Sequence, residues 1–407
     1  MAKSLFISYD GLTDTLGQSQ ILPYMTGLSK IGHQVTILSC EKRDKYNELK
    51  DHIEAICKKN NIRWVPIFFH SKPRIIAKYY DLYNLEAMAV KLYKKEKFDI
   101  IHSRSYLPGL IGRRLKKKFG VRFLFDMRSF WVDERVDGGL WNVQKQLYKY
   151  AYRRWKGKES QMIADADHIV SLTESAKLEM KRWQSYRNTP ISVIPCSADL
   201  SLFSPVTNTE RNTARKMLEI GNDVFVVSYL GSLGTWYLID EMFMFFGVLK
   251  EYLPESRFVF ITPSDPAIIE EKILEFGLSK SDFVIRFAQR RSVPVLMKAS
   301  DISLSFIKPS YSKIASSPTK LGEVLAMNIP AICNDIGDVG NILQNTNGGY
   351  LIDEFSNSAF RKAAVYCLDL HTAGQPGINR PAVINYYDLE NALNSYASIY
   401  ESLVEIQ

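Results

Sequence analysis

Ser4-Leu5-Phe6-Ile7-Ser8-Tyr9-Asp10-Gly11-Leu12-Thr13-Asp14-Thr15-Leu16-Gly17-Gln18-Ser19-Gln20 runs from an apolar, strand-like stretch through a glycine-bearing turn into a helix start. Small residues in such a turn let backbone amides approach a ligand, and the helix start behind them favours an anion. The dinucleotide fingerprint Gly-x-Gly-x-x-Gly is absent, since Gly11 and Gly17 stand six apart, so a nicotinamide cofactor is disfavoured. The same residues also suit a plain strand-to-helix turn. Pro23 implies that the helix proper starts only a few residues earlier.

Outward from this unit the pattern repeats. Strand-like runs occur at 5–8, 35–39, 62–67, 99–102, 122–125, 168–172 and 191–194, separated by charged segments of helical period such as 75–95, 110–118 and 143–164. Strand, helix, strand in this alternation predicts a parallel sheet wrapped on both faces. Ile194-Pro195 through Ser204-Pro205 reads as a polar connection, after which runs at 225–230, 258–262, 284–287, 302–306, 329–333 and 350–352 restart the pattern. The expected organisation is two doubly wound domains, 1–198 and 199–386, with a hinge near residue 200. The periodicity from Tyr387 predicts one long terminal helix with no strand after it. Facing Rossmann-like halves would present their loops to each other at the carboxyl ends of the strands, which is where such sheets bind ligands.

Composition narrows the class. A chain of 407 residues with 46% hydrophobic and 24% charged residues is globular and long enough for two cores. It contains no run of about 18 apolar residues and no signal-like leader, so a cytoplasmic protein is expected. The five cysteines (Cys40, Cys57, Cys196, Cys333, Cys367) are odd in number and scattered, and no histidine pair has metal-ligand spacing. Reduced thiols and no metal are expected. Residues 1–200 carry 35 Lys+Arg against 21 Asp+Glu (+14), while the remainder carries 17 against 23 (−6). Such an asymmetry suits two units with different partners, the basic one meeting an anionic membrane or a phosphorylated substrate.

The second anchor is Ser316-Ser317-Pro318-Thr319-Lys320-Leu321-Gly322-Glu323-Val324-Leu325-Ala326-Met327-Asn328-Ile329-Pro330. Pro318 fits a first helical turn with Ser317 as its cap. Free amides at that start, with Lys320, suit a diphosphate. Glu323, one turn on, lies within reach of a ribose diol or forms an ion pair with Lys320.

These residues carry a resemblance. Pro318-Thr319-Lys320, Glu323-Val324-Leu325-Ala326 and Ile329-Pro330 resemble the donor-binding helix of family 4 glycosyltransferases of GT-B fold. Val193-Ile194-Pro195-Cys196-Ser197-Ala198-Asp199 looks like the segment preceding that family's C-terminal domain. Asp167-His168-Ile169-Val170-Ser171-Leu172-Thr173-Glu174 and Asp99-Ile100-Ile101-His102 also match, in order, over nearly the whole chain. The resemblance implies a C-terminal domain that binds a nucleotide sugar and an N-terminal domain that binds the acceptor. It returns the terminal helix, 387–407, to the N-terminal domain, and it places Glu323 on the ribose, the amides of Leu321 and Gly322 on the diphosphate, and Gly17 in a loop that closes over it. The candidate donor set is Gly17, Gln18, Gly231, Ser232, Arg290, Thr319, Leu321, Gly322 and Glu323.

The chain departs from the pattern in places. Ala315 stands where the family often has an earlier glutamate. Gly231-Ser232-Leu233-Gly234-Thr235-Trp236 lacks the usual arginine and lysine, and Arg104 replaces a second histidine. Lys320 is then the expected substitute, as in relatives with a Lys-x-x-Glu pattern, with Arg290 or Arg291 as a second cation. The candidate catalytic set is Arg104, Arg128 and Lys320.

Between Phe125 and Trp141, charges and tryptophans crowd past a strand end, as on a sugar-binding surface. Asp126, Trp131, Asp133 and Glu134 are the candidate acceptor contacts, and a packed loop of salt bridges is the alternative. Asp165-Ala166-Asp167 looks like a metal-binding Asp-x-Asp but stands at a helix end, so metal binding is not expected there. The basic segment 143–158 and the run Arg113-Arg114-Leu115-Lys116-Lys117-Lys118 suit an anionic membrane surface or an ordinary amphipathic helix. The activity that the family resemblance implies is a retaining, metal-independent hexosyl transfer from a nucleotide diphosphate sugar to a glycan or lipid-linked acceptor. This would serve cell-envelope polysaccharide synthesis, with no nucleic-acid partner and at most peripheral membrane attachment. The alternatives are an epimerase of the same fold and a non-catalytic sugar-binding protein.

Overall fold

The central apolar runs become strands buried on both faces, as parallel sheets covered by helices require, and the strands at the sheet edges are only partly buried. The computed structural model describes residues 1–374 and 377–405. In its first half lie β1 (Lys3–Ser8), β2 (Gln34–Glu41), β3 (Arg63–Phe68), β4 (Ile100–Arg104), β5 (Arg122–Asp126), β6 (His168–Ser171) and β7 (Ile191–Val193). They form an all-parallel sheet in the order β3-β2-β1-β4-β5-β6-β7. The second half supplies β8 (Val226–Leu230), β9 (Arg257–Ile261), β10 (Phe283–Arg286), β11 (Ile302–Ser305), β12 (Ala331–Asn334) and β13 (Gly349–Ile352). These pair in parallel in the order β10-β9-β8-β11-β12-β13. In both sheets the order reverses beside the first strand, between β1 and β4 and between β8 and β11. Such switch points open a crevice outside the strand ends.

Two units result. The first comprises 1–196, 314–316 and 389–407, and the second 197–313 and 317–388. The units therefore meet at 196/197 rather than 198/199, and the tripeptide around Ala315 goes with the first. Ala315 is buried in the first unit's core, where an additional carboxylate would need a partner.

The expected terminal helix is two helices. Arg380–Tyr387 stays in the second unit, Asp388 breaks the run with extended backbone, and Leu389–Glu405 packs on the first sheet through Ala392, Tyr396, Ile399, Tyr400 and Leu403. Gln407 and Ile406, also expected in that helix, lie outside the described residues. At the other end Pro23 sits in the first turn of helix Leu22–Lys30, and Ile21 separates it from the short helix Thr15–Gln20.

The second core is aromatic. Phe243, Phe246, Phe258, Phe260 and Phe283 are buried around one another, with Phe243 and Phe283 stacked 5.3 Å apart. Each such side chain contributes about 1.5–3 kcal/mol of transfer free energy.

Candidate functional site

In the second unit the chemistry gathers at its switch point. β8 ends in Tyr229-Leu230 and is followed by Gly231, whose φ of +126° only glycine adopts without strain. A Cβ there would stand 2.8 Å from Lys320 Nζ. The absent side chain is the room in which the lysine end sits. Its ammonium lies 3.5 Å from the ring centroid of Tyr237, 4.7 Å from that of Tyr229 and 3.5 Å from the Tyr229 hydroxyl. That hydroxyl donates to the carbonyl of Ser232 at 2.8 Å, which fixes the ring. Burial pulls Lys320 down to about 7, against the opposing pull of Glu323 and Cys333. The aromatic faces favour the cation but do not fully replace lost water.

Helix Thr319–Ala326 begins one residue later than expected. Pro318 occupies the cap position, and no side chain caps the helix. The Leu321 amide donates to the Pro318 carbonyl at 3.0 Å, so this amide is already engaged, contrary to its expected place on a diphosphate. The amides of Thr319 and Lys320, in the first turn, are the ones a helix cannot satisfy internally. The Leu321 side chain is in the core. Gly322 is glycine for packing, because a Cβ there would drive into the ring of Tyr387. Glu323 is buried and receives Arg290 Nη1 at 2.7 Å, so its ion pair is with Arg290 and not with Lys320. Burial raises the Glu323 pKa, and Arg290 and Lys320 oppose the rise. Arg290 thus neutralises a carboxylate rather than standing free as the expected second phosphate cation.

In the first unit the switch point holds a buried polar cluster. Arg104 ends β4 and aligns with Asp126 on β5. Arg104 donates to Asp10, just past β1, at 3.0 Å. Arg128 donates to Asp126 at 3.4 Å and to Cys196 Sγ at 3.3 Å. Asp126 also accepts from the Tyr396 hydroxyl at 3.1 Å, and Tyr400 meets His102 Nδ1 at 3.0 Å. His102 Nε2 stands 3.6 Å from Asp126, too far for a hydrogen bond. Burial pushes Asp126 up, but Arg128, His102 and Arg104 outweigh it and hold the carboxyl well below its usual range. Among the described residues, His102 Nε2, Arg104 Nε and Arg128 Nε are buried without hydrogen-bond partners. Two buried guanidiniums face two carboxylates, buried Asp126 and partly exposed Asp10, and the three unsatisfied nitrogens leave the site with spare hydrogen-bonding capacity.

The glycine-bearing loop is occupied by the protein itself. Glu41, at the end of β2, accepts from the Leu12 amide (2.8 Å), the Thr13 amide (3.1 Å), the Thr13 hydroxyl (2.6 Å) and Ser39 (2.6 Å). The amides expected to approach a ligand therefore hold an internal carboxylate. Gly17 is buried against Leu12, where a Cβ would come within 2.7 Å of its Cα. Gln18 donates to the Thr13 carbonyl at 3.1 Å and lines a cavity of about 390 Å³ with Leu22, Pro23, Gly27, Leu389 and Leu393.

The aromatic cluster splits. Asp133 is buried and receives Tyr152 at 2.8 Å and Lys156 at 3.0 Å, so both its oxygens are spent inside the protein. Glu134 accepts from Ser129 at 3.0 Å. Trp131 is half-buried against Trp155 and Tyr106, with Lys78 at 4.9 Å and Arg135 at 4.7 Å from its ring. For Asp133 the packed-loop alternative holds. Asp165 pairs with Arg113 at 2.5 Å and Lys117 at 3.1 Å, and Asp167 with Lys116 at 2.8 Å and Arg122 at 3.3 Å. The basic run 113–118 is thereby largely neutralised. No group of three or more metal-ligating side chains occurs among the described residues.

Tyr229, Tyr237 and Glu41 were not anticipated. A lone tyrosine within Val226-Val227-Ser228-Tyr229-Leu230 and a glutamate closing the apolar run 35–40 were the available signals.

Paired parallel-sheet units with these switch-point sites define the class. The fold is GT-B, shared with sucrose-phosphate synthase from Thermosynechococcus elongatus (TM-score 0.70, 16% identity, 100% of both chains). It is shared also with HepE of Anabaena, solved in complex with UDP-glucose (TM-score 0.70, 13% identity, 99% of this chain and 100% of that one). The family profile described as Glycosyltransferase Family 4 matches residues 22–202, and that described as Glycosyl transferases group 1 matches 210–370. A full-length relative is the Escherichia coli UDP-Gal:alpha-D-GlcNAc-diphosphoundecaprenol alpha-1,3-galactosyltransferase, 23% identical over 95% of this chain and 96% of its own. This chain is a glycosyltransferase of family 4.

Proposed function

We propose that the enzyme transfers a hexose, with retention, from a nucleoside diphosphate sugar to a glycan or lipid-linked acceptor of the cell envelope, and that it does so without a metal. The observation that carries this is Lys320, held over Gly231 by Tyr229 and Tyr237 at a helix start. Negative charge grows on the diphosphate as the anomeric C–O bond breaks, and a poised cation with first-turn amides stabilises it. The acceptor oxygen bonds to the anomeric carbon on the same face, and its proton passes to the leaving phosphate. Lys320 and Glu323 make this chain one of the Lys-x-x-Glu relatives, with the ribose diol meeting the Glu323–Arg290 pair. Arg104 and Arg128 receive an anionic group of the substrates. The relative's lipid diphosphate acceptor supports an acceptor of that class.

We also place the enzyme on the cytoplasmic face of a membrane. No helix among the described residues is long and apolar enough to cross one. Helix Gln146–Asp165 instead exposes Leu147, Lys149, Tyr150, Arg153 and Arg154, the mixed basic and aromatic face of an interfacial helix.

The test is a melting-shift panel of UDP, GDP, dTDP and their sugars, followed by transfer assays with the stabilising donor. One nucleotide should raise Tm, and Lys320→Ala should abolish that shift and cut turnover at least about a hundredfold, the scale of one lost charge-stabilising group. Near-normal turnover in this variant would sink the assignment. Donor conversion without any acceptor would indicate an epimerase instead.

A further inference from the structure

Asp81 lies in helix Arg74–Glu96 and is wholly buried, outside every site described above. A buried carboxylate persists only where donors surround it. Its donors come from two strand ends. The Tyr9 hydroxyl, one residue past β1, donates at 3.2 Å. The amide of His70, two residues past β3, donates at 3.0 Å, and His70 Nδ1 stands 2.6 Å from the other carboxylate oxygen. The loop carrying His70 is itself fixed, since the Phe69 amide donates to the Glu41 carbonyl at 2.9 Å. Both strand ends lie at the carboxyl edge of the first sheet, the edge at which such sheets take ligands.

The imidazole is the part of this network that reaches solvent. The His70 side chain is 41% exposed, while its partner carboxylate is at 0%. With Nδ1 donating to Asp81, Nε2 is left as a fixed, outward hydrogen-bonding atom. It carries no hydrogen bond among the described residues. A carboxylate that sets the tautomer and ring angle of a histidine is the arrangement by which proteins aim an imidazole at a substrate group. The ring stands edge-on to Tyr80 at 5.2 Å, and Tyr79, Tyr80 and Tyr83 of the same helix are exposed. Exposed aromatic faces beside an oriented polar atom suit a sugar ring. Because Asp81 offsets any charge on the imidazole, the pair is built for a hydroxyl rather than an anion.

We propose that His70 is an acceptor-binding residue: its Nε2 accepts a hydrogen bond from a hydroxyl of the acceptor sugar, whose ring lies against Tyr80, while Asp81 holds the imidazole in place. The proposal rests on the transferase reading. It is tested on the donor and acceptor pair selected by the transfer assay, beginning with UDP-galactose and a GlcNAc-diphosphate carried on a short lipid. His70→Ala should raise the acceptor KM about tenfold, the worth of one hydrogen bond to an oriented group, with the nucleotide-induced melting shift unchanged. Tyr80→Ala should raise the same KM, and His70→Gln, which keeps an acceptor oxygen, should recover part of the loss. A lowered Tm with unchanged acceptor KM in His70→Ala would make the pair a fold latch and overturn the proposal. Wild-type protein inert with every pair, yet stabilised by a nucleotide, would sink the transferase reading and this proposal with it.

Discussion

Lys320 binds its proton differently in the folded and unfolded chain, and that difference is measurable. Its ordinary value of 10.5 falls to about 7 in the fold because burial strips its water. Between those values the unfolded chain holds a proton that the folded chain has released, so unliganded stability rises with pH across about 7–10.5. Below 7 the fold carries a buried ammonium and is least stable with respect to this group. Denaturant titrations at several pH values should show that slope, and Lys320→Met should remove it. A bound diphosphate favours the charged form, so calorimetry above pH 7 in buffers of different ionisation heat should register proton uptake on donor binding. Identical heats in all buffers would refute that coupling. At this scale the Lys320 and Glu323 pair was legible in the sequence as a motif. The Arg290 contact to Glu323 was not, because the partners are 33 residues apart and only the tertiary fold joins them.

Strands were the most legible elements. Every expected run became a strand to within two residues, because a place in a helix-covered sheet leaves a short apolar, β-branched or aromatic signature bounded by polar turns. Helix breaks were less legible. The step at Ile21 is announced by Pro23 in the first turn of the helix that follows, but the stop at Asp388 has no proline or glycine at the break and is set by what each helix packs against. The glycine-bearing loop shows the same limit, since its composition suited ligand amides but the tertiary neighbour Glu41 claims them. This makes a prediction for the loop as an element. Glu41→Ala should leave two amides and the Thr13 hydroxyl without an acceptor in a buried place, and Ser39 with only its contact from Trp64, and destabilise the first unit by about 3–5 kcal/mol. Glu41→Gln, which keeps the shape and one acceptor, should cost less. Unchanged denaturation midpoints in both variants would show that the loop holds itself.

For the whole molecule, the basic and acidic halves seen in composition correspond to the two units, and the net +14 of residues 1–200 is not spread evenly. Internal carboxylates use up the run 113–118, whereas Lys149, Arg153 and Arg154 face solvent beside Leu147 and Tyr150. Binding to vesicles of phosphatidylglycerol should therefore weaken at least about tenfold on reversing Arg153 and Arg154 to glutamate, and should weaken with added salt. Reversing Lys116 and Lys117 should instead cost folding stability, because their partners Asp165 and Asp167 would be left facing like charge. Equal vesicle binding by the first variant and wild type would argue against membrane attachment through this helix. The last helix carries a consequence for how the chain is made. Tyr396 gives Asp126 a donor and Tyr400 gives His102 Nδ1 a partner, so the opening Rossmann unit waits, polar centre unfinished, until Leu389–Glu405 has left the ribosome. A chain cut short before Leu389 would expose a half-built cluster and a bare sheet face, which makes this helix a built-in check that synthesis has passed it.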